Sequence, residues 1–167
     1  MDSSLKNVLV VCTANICRSP MAEVILRRRF AELGLGDAVR VLSGGVRAGE
    51  GYPASALASD LLCERGMSLA DHRSQPVTPA MLRQADLVLV MEDQHRTTLF
   101  YWWPEHVGKI YLLSETAGKQ HDIEDPYGGS PEEYAATADE LESLLEQGMP
   151  FILKRLRLSA PGDTSAA

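Results

Sequence analysis

Disulfide scaffolding is missing from this sequence. Only three of its 167 residues are cysteine, an odd number, with Cys12 and Cys17 close together and Cys63 alone. Small domains that depend on disulfides carry even, dense cysteine sets, so a reducing cytoplasm and at least one free thiol are expected. No stretch approaches the roughly 18 consecutive apolar residues of a membrane helix. Residues 1–6 lack the charged and apolar regions of a secretory leader, so neither membrane nor export is expected. A basic surplus is also missing: 16 Lys and Arg against 23 Asp and Glu leave a net charge of −7 and a pI near 5.1. A sequence-independent nucleic-acid binder shows the opposite balance, which excludes that class of partner. The four scattered histidines make no ligand pair beside the cysteines, so no metal is expected.

What is present is the balance of a folded domain, 45% apolar and 23% charged. Residues 6–11 are a short continuous apolar run, the pattern of a strand buried on both faces. Ser19 and Pro20 then read as the N-cap and first position of a helix, on which Ala22, Leu26, Phe30 and Leu33 recur at helical spacing before Gly34. Arg27, Arg28 and Arg29 read as its solvated face. A second strand is expected over 39–42, a glycine-rich loop over 43–51 and a helix over 53–66, with Cys63 in the core. A third strand over 86–91, a helix over 93–103, a fourth strand over 109–113 and a long helix over 131–158 complete the series. Trp102 and Trp103 are expected to seal the helix 93–103 against the sheet. Strands alternating with helices imply one doubly wound α/β domain over residues 1–158: a four-stranded parallel sheet with helices on both faces. Residues 159–167, small and polar, are expected to fray, and the chain is expected to be a monomer.

In such sheets ligands bind beyond the carboxyl ends of the strands. Directly after the first strand comes Cys12-Thr13-Ala14-Asn15-Ile16-Cys17-Arg18-Ser19, a C-x5-R-S loop leading into a helix. A loop wrapping into a helix N-terminus turns successive backbone N–H groups toward one point and adds the dipole's positive end. Thiolates are favoured at such termini and beside arginine, which places Cys12 as a nucleophile. Arg18 supplies a planar fork for two phosphate oxygens. Asn15 suits a positive φ, and the Ser19 hydroxyl can donate to the sulfur. A phosphate ester also needs its leaving oxygen protonated, and Asp122, Glu124 and Asp125 are candidate acids. Asp125 stands out because Pro126 stiffens the backbone after it and Tyr127 can wall an aromatic pocket. On its own, Asp-Pro is a common turn signal.

The stretch Val10-Val11-Cys12-Thr13-Ala14-Asn15-Ile16-Cys17-Arg18-Ser19-Pro20-Met21-Ala22-Glu23 resembles the active-site signature of the bacterial low-molecular-weight protein tyrosine phosphatases. Asp125-Pro126-Tyr127 is similar to that family's acid loop, and Ser43-Gly44-Gly45, His72-Arg73-Ser74 and residues 85–91 resemble further segments in the same order. The similarity covers residues 6–158. It implies hydrolysis of phosphotyrosine in proteins through a phosphocysteine on Cys12, with Asp125 as acid and then base, and with no metal or cofactor. It implies that Thr13, Ala14, Asn15, Ile16, Cys17 and Ser19 form the phosphate-binding loop and that Asn15, Ser43 and His72 support it. It also implies that Cys17 is a redox partner of Cys12, forming a reversible disulfide. A tyrosine-phosphorylated protein, such as a bacterial tyrosine kinase, is the implied partner, and inorganic phosphate the product.

The sequence departs from the family in residues 46–51, a shorter loop without the usual aromatic. Arg47 stands there, a cation expected at the pocket wall with Ile16 and Tyr127. Gly128 replaces a second tyrosine often found after the acid-loop tyrosine. Two relatives of the same scaffold are rivals. A protein-arginine phosphatase typically has threonine where this chain has Ile16, and the apolar Ile16 suits an aromatic ester better. A thiol-dependent arsenate reductase needs a further cysteine pair, and outside the loop only Cys63 exists. The acidity is concentrated: residues 114–167 carry four basic against eleven acidic residues, whereas residues 1–50 carry seven against five. Phosphate capture by aligned amides and one arginine is a local field that the global pI does not report.

Overall fold

Strand β1 (Lys6–Cys12) is buried along almost its whole length in the computed structural model, which describes residues 4–162. It lies between β2 (Val39–Gly45) and β3 (Leu87–Val90), with β4 (Ile110–Leu112) outside β3, in the order β2-β1-β3-β4. Every pairing is parallel, β1 running in register from Lys6↔Val39 to Cys12↔Gly45 against β2 and from Val8↔Leu87 against β3. The continuous apolar runs follow from this, because a parallel sheet is covered on both faces. Val8, Val10, Leu87 and Leu89 face one core with helices α1 (Arg18–Glu32), α2 (Ala56–Glu64) and α5 (Pro131–Leu156). Leu9, Val11, Val88, Val90, Ile110 and Leu112 face a second core with α3 (Pro79–Gln84) and α4 (Asp93–Trp102). The chain passes from β1 to β2 on one side and later to β3 on the other. The carboxyl end of β1 is therefore the switch point of the sheet, where such folds hold ligands.

Several local readings of the sequence need correction. Ser19 is no N-cap: α1 starts at Arg18 after Cys17, and no side chain caps it. The Ser19 hydroxyl is occupied elsewhere, and the first amides of the helix are left to the loop. Strand β2 runs on through Ser43, Gly44 and Gly45 instead of ending at residue 42. Gly45 has a steric reason, since a Cβ there would collide with the Thr13 carbonyl oxygen and sit 2.8 Å from Ala48 Cβ. Helix α3, with Thr78 as cap and Pro79 at its start, was not foreseen, nor were the 3₁₀ turns Pro104–Lys109 and Leu113–Ala117. All are short, and hydrophobic periodicity needs more residues to show. Cys63 is exposed, because α2 turns Ala58 and Leu62 inward and Cys63 away from them. Only Trp103 packs on the second core, while Trp102 is half exposed and meets it edge-on at 5.4 Å. After α5 the chain turns so that Pro161 lies beside Gly34; residues 163–167 of the expected tail fall outside the described residues.

Candidate active site

The loop after β1 closes around a cavity of about 260 Å³, lined by residues 12–18 together with Asp125 and Tyr127. Cys12 is the last residue of β1, so sheet pairing fixes its position. Its Sγ accepts from the Asn15 backbone N–H at 3.3 Å and lies 3.0 Å from Ser19 Oγ. Asn15 has φ 59°, a conformation that asparagine adopts far more readily than most residues. It is fully buried, and its Nδ2 donates to Ser19 Oγ at 2.8 Å and to Ser43 Oγ at 2.9 Å. Because Ser19 Oγ accepts from Asn15, its own hydrogen is free to point at the sulfur. Asn15 Oδ1 accepts from the Gln75 N–H at 3.0 Å, and its carbonyl accepts from His72 Nε2 at 2.7 Å. Beside His72, burial pushes the Glu23 carboxyl up, with Arg27 and His72 pulling it the other way.

Arg18 comes from the first residue of α1 and is almost wholly buried. Its Nη1 donates to Glu92 Oε1 and to the Ile123 carbonyl at 2.7 Å. Its Nη2 has only long contacts, 3.4 Å to Asp125 Oδ2 and 3.5 Å to Thr13 Oγ1. Its Nε has no partner, which among the described residues is true of no other buried side-chain nitrogen or oxygen. One edge of the guanidinium is thus anchored and the other is left for a ligand. An unpaired buried donor is costly unless something arrives to accept from it.

Asp125 and Tyr127 stand across the cavity on a loop held at Ile123, whose N–H donates to Met91 and whose carbonyl accepts from Arg18. Asp122 receives the Asp93 N–H at 2.8 Å and Glu124 is exposed; neither lines the cavity. Arg47 is exposed and also lies outside the lining, its backbone N–H donating to the Thr13 carbonyl. Cys17 Sγ donates to Ser55 Oγ at 3.4 Å and contacts Tyr134 Oη at 3.3 Å. Burial pushes the Cys17 thiol up, against the pull of those two hydroxyls. The sequence reading missed Glu92, His95, Gln75, Ser55 and Tyr134. Glu92 had a readable signal, since it directly follows the third apolar run, at the carboxyl end of a strand next to β1.

A buried thiol, a loop closing into a helix N-terminus and an arginine with one free edge make a site for a tetrahedral oxyanion, with a carboxyl group opposite. The model of the low molecular weight phosphotyrosine protein phosphatase family matches residues 7–158. The chain belongs to this family. Among phosphatases of the family, it is 34% identical over 153 residues to the probable low molecular weight protein-tyrosine-phosphatase EpsP of Ralstonia solanacearum, covering 92% of this chain and 97% of that one. It is 39% identical over 142 residues to the protein-arginine-phosphatase of Bacillus subtilis, covering 84% and 93%. The crystal structure of the low molecular weight protein tyrosine phosphatase from T. tengcongensis superposes with a TM-score of 0.83 at 41% identity, covering 87% of this chain and 99% of that one. Among the described residues no helix is long and apolar enough to cross a membrane, and no three His, Cys, Asp or Glu are grouped as a metal ion would need.

Proposed function

We propose that this phosphatase hydrolyses phosphotyrosine in proteins through a phosphocysteine on Cys12. The observation that carries the reading is the unpaired Nε of buried Arg18 beside the Cys12 cavity. The Nε–Nη2 edge takes two phosphoryl oxygens, and the loop amides take the rest. Cys12 Sγ attacks phosphorus and the P–O bond to the phenol breaks. Asp125 gives its proton to the departing oxygen, then removes one from the water that attacks the S–P bond and releases inorganic phosphate. Ser19 and the Asn15 N–H stabilise the sulfur anion as it leaves. Asn15, held by Ser43, Gln75 and the His72 bond to its carbonyl, keeps the loop in shape. Cys17 is the redox partner of Cys12, and its disulfide would block the nucleophile reversibly.

Tyrosine is favoured because Ile16 and Tyr127 line the cavity with apolar and aromatic surface. The identity to protein-arginine phosphatases supports a second reading, hydrolysis of phosphoarginine. The two are separated by measuring kcat/KM on a phosphotyrosine peptide and a phosphoarginine peptide, for the wild type and Ile16→Thr. The wild type is expected to prefer phosphotyrosine, and the substitution to move the ratio toward phosphoarginine by about tenfold or more. A wild type that prefers phosphoarginine, or a ratio that does not move, would overturn the preference. The three free cysteines support a cytoplasmic site of action, and the reading is completed by a monomer acting on a tyrosine-phosphorylated protein such as a bacterial tyrosine kinase. Substrate trapping with Asp125→Ala in cell extract would identify that partner.

A further inference from the structure

Helix α4 begins with an unusual cap. Where most helices start with a short side chain such as Ser, Thr, Asp or Asn that accepts from the first turn, α4 has Glu92 as N-cap, whose backbone carbonyl accepts the His95 N–H at 3.0 Å and whose N–H donates to the His95 ring. The Glu92 carboxylate takes no part in the cap, and the His95 ring has one nitrogen left over. The Glu92 carboxylate accepts from Arg18 Nη1 and from Gln94 Nε2. The His95 ring accepts the Glu92 N–H on Nδ1 at 3.1 Å and meets Thr13 Oγ1 through Nε2 at 2.8 Å. Arg18 Nη2 approaches the same Thr13 oxygen at 3.5 Å, closing a ring of four residues around one side of the cavity.

The protons in this ring can be assigned from donor chemistry. A backbone N–H only donates, so Nδ1 of His95 is unprotonated and the neutral ring carries its hydrogen on Nε2. Thr13 Oγ1 is then an acceptor for His95 and Arg18, which occupies both its lone pairs. Among the described residues no protein acceptor takes the Thr13 hydroxyl hydrogen, and Thr13 lines the cavity. Burial, with Arg18 nearby, lowers the pKa of His95 to about 4, so the ring stays neutral across the ordinary pH range.

We propose that Glu92 and His95 are positioning residues for phosphoryl transfer: Glu92 anchors one edge of Arg18, and His95 turns the Thr13 hydroxyl into a donor to a phosphoryl oxygen. Thr13 thereby adds a side-chain donor to the amides and arginine of the loop. A helix cap alone needs neither His95 Nε2 nor the Thr13 hydroxyl. The fold supplies the meeting point, because α4 starts beyond the carboxyl end of β3, the strand paired with β1.

The inference rests on the phosphocysteine reading, and the two fail separately. Turnover that survives Cys12→Ser removes that reading, whereas the ring is tested by a double-mutant cycle. Thr13→Val is expected to lower kcat for p-nitrophenyl phosphate about tenfold with KM changed less than about twofold, as for a donor used mainly in the transition state. His95→Leu should lose as much, and the double variant should lose no more than either single one, because His95 acts through Thr13. Thr13→Ser and His95→Gln, which restore a hydroxyl and an accept-and-donate pair, should recover to within about threefold of wild type. Melting temperatures measured beside the kinetics identify a variant that fails to fold, and Thr13→Val with His95→Gln then decides. Wild-type kcat in Thr13→Val, no recovery in His95→Gln, or losses that multiply to about 100-fold in the double variant would overturn the inference.

Discussion

Within the loop of residues 12–18, Asn15 alone has four hydrogen-bonding partners through its side chain and carbonyl, and the loop is backed by β1 and the start of α1. Across the cavity Asp125 is 45% exposed and Tyr127 is 67% exposed, on a loop pinned mainly at Ile123. The Asp125 carboxyl is bonded to the Tyr127 N–H and lies 3.4 Å from Arg18 Nη2. The anion cradle is tied from many sides before substrate arrives, and the acid by few bonds. Electrostatic stabilisation needs dipoles already aimed at the transition state, since reorganising them would consume the gain. A general acid has to follow the leaving group and then serve a water, so it tolerates and needs more freedom. The charge distribution fits the same division. The acid loop lies in the segment with eleven acidic residues, and the groove beside it is lined by Asp122, Glu124, Glu133 and Glu140.

Disruption of the cradle should give the largest effect. Cys12→Ser is expected to lower kcat by at least about 10⁴-fold, with the fold intact by circular dichroism. Across the cavity, Asp125→Asn should reduce kcat by about 10²- to 10³-fold for aryl esters with poor leaving groups, and less as the leaving-group pKa falls. A leaving-group series measures this; a loss that ignores leaving-group pKa would take the acid's role away from Asp125. Asn15→Ala should lower stability by about 3 kcal/mol, since it strands the Gln75 N–H and puts alanine at φ 59°. Urea unfolding tests it, and Tyr127→Ala should leave stability within about 0.5 kcal/mol of wild type, as for an exposed position.

A stability effect that emerges only as the pH falls belongs to His95. Its folded pKa of about 4 lies below the ordinary 6.5, so between those values the unfolded chain binds the proton and the folded one does not. Stability is therefore fully present above pH 6.5 and falls as the pH drops toward 4, by ~3 kcal/mol from this residue. Besides Arg18, which holds the ring neutral, the charged groups around it are Glu92, Asp122 and Asp125, which pull the other way. His95→Gln should remove this component, seen as a flatter difference between urea unfolding at pH 7 and pH 4. Glu92 acts in the same direction at lower pH: burial pushes its carboxyl up, but Arg18 outweighs this and holds it below the usual range. Its contribution is present above the ordinary carboxylate pKa and is lost only as the pH falls below it.

Much of the site could be read from the chain because it is contiguous. Cys12, Asn15, Arg18 and Ser19 lie on one strand-to-helix turn, and local chemistry predicts a strand, a cradle and a helix there. Asp125 was readable through Pro126 and Tyr127. Ser19 shows the limit of local reading. As the residue before Pro20 it looks like a cap, yet its hydroxyl is taken by Asn15 and the sulfur. Arg47 shows another limit, since proximity in the loop after β2 did not bring its side chain into the cavity lining.

The sequence by itself determined the parallel α/β layering, the order of its strands and helices along the chain, and the residues of the strand-to-helix loop and of the acid loop that meet at one cavity. Continuous apolar runs and turn chemistry are local properties, and so are legible locally. Only the tertiary structure decided which edge of Arg18 is free, that Gln75 and His72 hold Asn15, and that Glu92 and His95 reach the site from α4. Those contacts join residues 57 to 82 positions apart. They depend on the strand order β2-β1-β3-β4, which spacing along the chain does not encode.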